Sequence, residues 1–68
     1  MKREKAYVDG RRQKVLELLT ENPRLRADEL AEILDVSVVT IRRDLRVLEE
    51  ENQVKRFYGG ARVTRTLP

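Results

Sequence analysis

The side chains with chemistry to offer gather in Ser37-Val38-Val39-Thr40-Ile41-Arg42-Arg43-Asp44-Leu45, with Arg46 directly after. Ser37 is the kind of residue that caps a helix, its hydroxyl accepting a bond from an orphan N–H of the first turn. Behind it Val38, Ile41, Leu45 and Leu48 recur at helical spacing as one apolar stripe. With Ile41 at zero and about 100° per residue, Val39, Thr40, Arg43, Arg46 and Val47 fall on the far side, with Arg42 on its shoulder. Such a helix buries one side and offers arginines and a short hydroxyl on the other. That suits a groove of nucleic acid, where cations neutralise phosphate and donors reach base edges. Plainer roles stand beside these. Arg42 and Arg43 could form a solvated helix face, Thr40 could bond back into its own first turn, and Ser37 could be a cap alone.

Other chemistries lack their residues. The chain has no cysteine and no histidine, which removes disulfides, thiolate catalysis, zinc fingers and imidazole bases. There is neither a cluster of metal ligands nor a glycine-rich phosphate loop. The expectation is therefore no enzyme, no cofactor and no metal. No apolar run approaches the ~20 residues that span a bilayer, and no secretory signal is visible, so a cytoplasmic location is the default. Sixty-eight residues make one domain, burying only about 60% of the surface its unfolded chain exposes. The net charge of +3 is segregated. Six Lys/Arg stand in residues 1–14 against Glu4 and Asp9, and residues 52–68 carry Lys55, Arg56, Arg62 and Arg65 with no acid. Segregation of this kind is the footprint of a polyanion binder.

The elements that must hold the cationic helix can be read in outline. Residues 1–8 are polar and read as a flexible basic arm, and Asp9 is placed to cap a first helix running to about Glu21. Val15, Leu16, Leu18 and Leu19 are its apolar side, and Asn22-Pro23 ends it, because a residue before proline is pushed out of the helical region. Asp28–Leu34 reads as a short helix with Asp28 and Glu29 at its positive dipole end. Leu30, Ala31 and Leu34 form its inner face, with Ala31 small enough for a close crossing. Asp35-Val36 then leads at once into the Ser37 cap, the tight connection of a helix-turn-helix. Val54–Phe57 and Ala61–Thr64 flank Tyr58-Gly59-Gly60, a β-hairpin with its glycines supplying positive φ. Residues 65–68 read as the start of a linker.

Arg11, Val15, Leu19, Ser37, Thr40-Ile41-Arg42-Arg43-Asp44-Leu45 and Gly59-Gly60-Ala61 together resemble the signature of the DeoR family of bacterial transcriptional regulators. The order and spacing match from Arg11 to Ala61. The resemblance implies a mainly α (α+β) winged helix-turn-helix, with three helices and a C-terminal two-stranded wing over residues 9–64. It also implies a large sugar-phosphate-responsive C-terminal domain, absent here, through which a full-length protein would form homo-oligomers. Arg26 departs from the Ser or Thr that commonly caps the second helix, and Asn52 from the usual glycine after the third. Gln53 replaces an apolar residue, which leaves the first wing strand less anchored.

Asp44 stands out because a carboxylate on a DNA-reading helix should repel phosphate. It lies about 60° from Ile41 on the wheel, at the border of the core, which suggests a clamp with Arg11 or Arg12 worth on the order of 1 kcal/mol or less if partly exposed. The competing role for Arg11 is to grip a phosphate. The function expected is sequence-specific binding of double-stranded operator DNA by a regulator, usually a repressor, of carbohydrate genes. Ser37, Val39, Thr40, Arg42, Arg43 and Arg46 would act from the recognition helix. Lys55, Arg56, Tyr58, Gly59, Gly60 and Arg62 would act from the wing, on backbone or minor groove. Lys55, Arg56 and Arg62 could instead only blunt a hairpin edge. The isolated domain is expected to be a monomer, with no membrane partner. The alternatives are a winged-helix protein-interaction module and an RNA-binding winged helix, the latter disfavoured by scarce stacking aromatics.

Overall fold

The computed structural model describes residues 2–64, and the side chains of residues 8–64. Its order is α1 (Lys2–Glu21), α2 (Ala27–Leu34), α3 (Val38–Glu50), β1 (Val54–Phe57) and β2 (Gly60–Val63). Three helices followed by an antiparallel hairpin make the winged helix-turn-helix that the sequence leads one to expect. One boundary differs. α1 already runs from Lys2, so residues 2–8 continue the helix instead of forming a separate arm, and Asp9 lies inside it rather than capping it. Lys, Arg, Glu and Ala are good helix formers, and no proline interrupts them before the buried turns at Val15–Leu19 secure the helix. The expected linker at residues 65–68 lies outside the described residues.

The core is assembled from every element. Val15, Leu16 and Leu19 of α1 meet Ala27, Leu30 and Ala31 of α2, and Ile41, Leu45 and Leu48 of α3, closed below by Val54 and Ala61 of the hairpin. Leu18, Leu34 and Val38, expected inside, are half-buried at its edge. Burying a Leu or Ile side chain contributes roughly 1.5–3 kcal/mol, so the apolar stripe of α3 fixes which way its other face points.

Helix ends are closed by local chemistry. α2 starts at Arg26, whose guanidinium has no acceptor with which to cap. Glu29 compensates in part, its Oε1 accepting the Arg26 N–H at 2.8 Å. α2 ends with Asp35 in the left-handed region at φ 57°, while the Val36 N–H reaches the Ala31 carbonyl at 3.0 Å and the Asp35 N–H reaches that of Glu32 at 3.3 Å. α3 ends in the same way. Asn52 has φ 61°, the Gln53 N–H donates to the Leu48 carbonyl at 2.8 Å and the Asn52 N–H to that of Glu49 at 2.9 Å. These paired bonds are the Schellman arrangement that usually takes glycine, with asparagine the tolerated substitute.

The hairpin pairs Val54 with Val63, Lys55 with Arg62, Arg56 with Ala61 and Phe57 with Gly60. Its turn is therefore Tyr58-Gly59, one residue shorter than expected, and only Gly59 has positive φ, at 85°. Positive φ at the second central position is what a type II turn requires. Gly60 is needed for another reason: a Cβ there would sit 3.3 Å from the Leu25 carbonyl oxygen. That close approach lets Arg26 bridge to Gly60 and lets the Ala27 N–H donate to the Gly59 carbonyl at 3.2 Å. At the base of the wing the Gln53 carbonyl accepts the Thr64 N–H at 3.0 Å.

Asp44 is the buried polar residue among those described, with no exposure at all. Arg11 grips it twice, Nε to Oδ2 at 2.5 Å and Nη2 to Oδ1 at 2.8 Å. Arg12 adds Nε to Oδ1 at 3.1 Å. The expected position at the core border, with a weak and partly exposed pair, is thus corrected: the carboxylate is wholly inside, and both arginines bind it. Their side chains keep 13% and 23% exposure, so water still reaches the cations but not the anion. Breaking a buried pair typically costs several kcal/mol. Asp44→Ala should therefore lower unfolding stability by about 2–4 kcal/mol, with the residual solvent access of the arginines limiting the loss. Urea unfolding of the parent and variant gives the difference directly, and a variant as stable as the parent would remove the cluster from the account of the fold.

Candidate nucleic-acid interface

Ser37 begins α3 in extended backbone and accepts the Thr40 N–H on its Oγ at 3.1 Å. The Ser37 and Thr40 hydroxyl oxygens also lie 3.0 Å apart, one donating to the other. Both hydroxyls are thus engaged with the first turn, and Thr40 is half-buried. Beyond them α3 carries Val39, Arg42, Arg43 and Arg46 at exposed positions. None of these three arginines has an acidic partner within 4.0 Å among the described residues. The arginines that do have partners serve the fold: Arg11 and Arg12 hold Asp44, and Arg56 holds Glu49.

The wing set divides over two faces. Side chains alternate along a strand, so Arg56 shares the α3-facing side with Val54 and Ala61, while Lys55 and Arg62 share the other. Lys55 and Arg62 are direct cross-strand partners, a like-charge pairing that costs stability where nothing neutralises it. Tyr58 is 98% exposed at the tip, and Gly59 is exposed beside it. Gly60 is buried, packed against the Leu25 backbone, so it shapes the wing and does not offer a surface to a partner.

Arg56 reaches α3 instead of standing free. Its backbone N–H donates to Glu49 Oε2 at 3.0 Å and its Nε to Glu49 Oε1 at 2.9 Å. These bonds, the backbone one foremost, hold the Glu49 carboxyl below its ordinary value of 4.5. The side chains are exposed enough that the pairing acts more as a tether than as a large source of stability.

An open cleft of about 700 Å³ lies between the start of α2, α3 and the wing, with Arg26, Arg42, Glu49, Arg56, Phe57 and Tyr58 in its walls. Arg26 is the participant that sequence reasoning missed. Its guanidinium rests over Gly59, with Nε and Nη2 3.6 Å from where a Cβ there would stand, and it has no acidic partner among the described residues. The available signal was its departure from the hydroxyl cap common in the family. Glu49 was missed too, because only the folded hairpin brings it to Arg56.

A family profile described as the DeoR-like helix-turn-helix domain matches residues 11–66. The chain belongs to this family. Its α3 is accordingly the recognition helix and its hairpin the wing of a DNA-binding regulator domain. It is 47% identical over 51 residues to the HTH-type transcriptional regulator GolR of Listeria innocua, covering 75% of this chain and 20% of that one. Over the same shares it is 45% identical to the glycerol-3-phosphate regulon repressor of Haemophilus influenzae. It is 43% identical to a putative galactitol utilization operon repressor of Escherichia coli, over 75% of this chain and 46% of that protein. The chain spans about a fifth of the length of the most similar of these relatives. No solved structure matches it. No helix among the described residues is long and apolar enough to cross a membrane.

The lowered Glu49 value sets a pH dependence with a definite sign. A carboxyl whose folded-state value is depressed stabilises fully above its unfolded value, and that contribution fades as pH falls through the folded value. The wing tether should therefore be intact above pH 4.5 and weaken below it. The Arg56 amide resonance should titrate with a midpoint under 4.5 in the parent and stay flat across that range in Glu49→Gln. A flat Arg56 amide in the parent would show that Glu49 does not hold the wing in solution.

Proposed function

We propose that this DeoR-family domain represses carbohydrate genes by docking α3 in the major groove of double-stranded operator DNA, with the wing against the adjoining backbone or minor groove. The observation that carries this reading is the division of the arginines. Those with acidic partners tie elements together, whereas Arg42, Arg43 and Arg46 stand on the solvent face of α3 with no acidic partner among the described residues. A duplex supplies the missing anions, and each phosphate neutralised releases counterions and strengthens binding at low salt. The repressor and carbohydrate parts rest on relatives named for glycerol-3-phosphate and galactitol systems.

In this reading Ser37, Val39, Thr40, Arg42, Arg43 and Arg46 form the recognition surface, with Ser37 and Thr40 chiefly setting the helix start. Lys55, Arg62, Tyr58 and Gly59 engage the backbone from the wing, Arg56 contributes its charge while tethered, and Arg26 adds a phosphate contact beside Arg42. One module buries about 600–1,000 Å² of protein surface on DNA, so a lone 68-residue chain acts as a weakly binding monomer. The longer protein to which such a domain belongs works in the cytoplasm as a homo-oligomer that engages two half-sites through further sequence. Dimeric readers place half-sites about one helical turn, ~34 Å, apart.

Arg42→Ala and Arg43→Ala should each weaken operator binding by about 1–3 kcal/mol where a base contact is lost. Arg26→Ala should weaken specific and nonspecific DNA alike and reduce the salt slope by about one. Fluorescence anisotropy across a salt series separates the two patterns. Folded variants of Arg42 and Arg43 that both bind like the parent would overturn the assignment of the reading face.

A further inference from the structure

The line of α3 that runs opposite its buried stripe is the part of the helix that would enter a groove deepest. With Ile41 at zero, Val39 and Arg43 bracket that line at roughly 160° and 200°, and Arg42 lies off it on the wing side at about 100°. Val39 is 60% exposed, and it is the one large apolar side chain of α3 left in solvent. Neither the core nor helix formation needs it there, since a β-branched residue is a poorer helix former than alanine. Thr40 next to it is half-buried, with its hydroxyl 3.0 Å from that of Ser37. Next to the centre of the reading face the structure therefore places one methyl-bearing side chain and one guanidinium with no acidic partner among the described residues, Arg46 following further along the helix at about 140°.

These two chemistries select different bases. In the major groove thymine alone presents a 5-methyl group for apolar contact, and guanine presents the O6 and N7 acceptors that fit an arginine fork. Val39 and Arg43 are four residues apart, about 6 Å along the helix, or roughly two base-pair steps of ~3.4 Å. We infer that Val39 is a thymine-methyl reader and Arg43 a guanine reader, so that each half-site holds a thymine and a guanine about two base pairs apart. This inference rests on the DNA-docking reading given under Proposed function and adds to it the identity of two bases.

The test starts from duplexes selected by the 68-residue chain out of a random library at low salt. Each thymine of the enriched sequence is replaced singly by deoxyuridine, which lacks only the methyl, and each guanine by 7-deazaguanine, which lacks the N7 acceptor. At one thymine per half-site the parent should lose about four-fold in affinity, the worth of one buried methyl group. That loss should vanish in Val39→Ala and persist in Arg43→Ala. At one guanine about two base pairs away the parent should lose about ten-fold, a loss that vanishes in Arg43→Ala and persists in Val39→Ala. Both positions are exposed, and unchanged melting of the variants shows that the fold is intact. Methyl losses that are absent, or equally large in Val39→Ala, overturn the thymine assignment, and guanine losses undiminished in Arg43→Ala overturn the other. Failure to enrich any sequence overturns the DNA-docking reading itself, a result distinct from an enriched site indifferent to both base changes.

Discussion

Asp44 places a carboxylate with no solvent exposure inside a domain of 68 residues, where an unpaired charge would be prohibitively costly. The three hydrogen bonds from Arg11 and Arg12 resolve this. They also impose geometry. A bidentate guanidinium–carboxylate contact fixes direction as well as distance, so the rotation of α3 about its own axis is tied to α1. A recognition helix turned by one residue position would carry its reading face about 100° away. The apolar stripe of Ile41, Leu45 and Leu48 resists that rotation through packing, which tolerates small slippage. The ion cluster resists it through directional bonds. The two constraints together give Val39 and Arg43 a defined outward bearing.

The same logic extends to the wing. A two-stranded hairpin is marginal by itself, and this one is fastened on two sides. Buried Val54 and Ala61 join the core, Glu49 of α3 takes both the N–H and the guanidinium of Arg56, and Gly59 and Gly60 close against the start of α2. Glycine at position 60 favours that closure, because a Cβ would stand only 3.3 Å from the Leu25 carbonyl oxygen and push the backbone apart by a few tenths of an ångström. The helix-turn-helix and the wing consequently form one unit, and Arg26 and Arg42 both line the cleft between them.

Pairing sorts the charges of α3. Asp44 and Glu49 each lie on the recognition helix, yet both are turned to arginines that bind elements together. The residual cations of α3 then meet no internal anion among the described residues. The net charge is only +3, yet Asp44 and Glu49 are taken up by Arg11, Arg12 and Arg56, which leaves Arg42, Arg43 and Arg46 to set the charge of the outer face of α3.

Periodicity and capping chemistry determined much of this protein without any tertiary knowledge. The Ser37 cap, the stripe from Val38 to Leu48 and the arginines opposite it follow from spacing along one helix, and local geometry obeys local sequence. The same is true of Asn52, whose left-handed conformation reflects a side chain that tolerates it. The start of α1 is less legible, because the capping signal at Asp9 competes with the helix-forming residues before it, and a helix anchored downstream extends past a weak stop. Tertiary structure alone decided the rest. The complete burial of Asp44, its second arginine, the Glu49 tether and the seat of Arg26 over Gly59 join residues distant in the chain. A helical wheel reports only angle about its own axis; how deeply a residue at the border is buried depends on what the other helices bring against it.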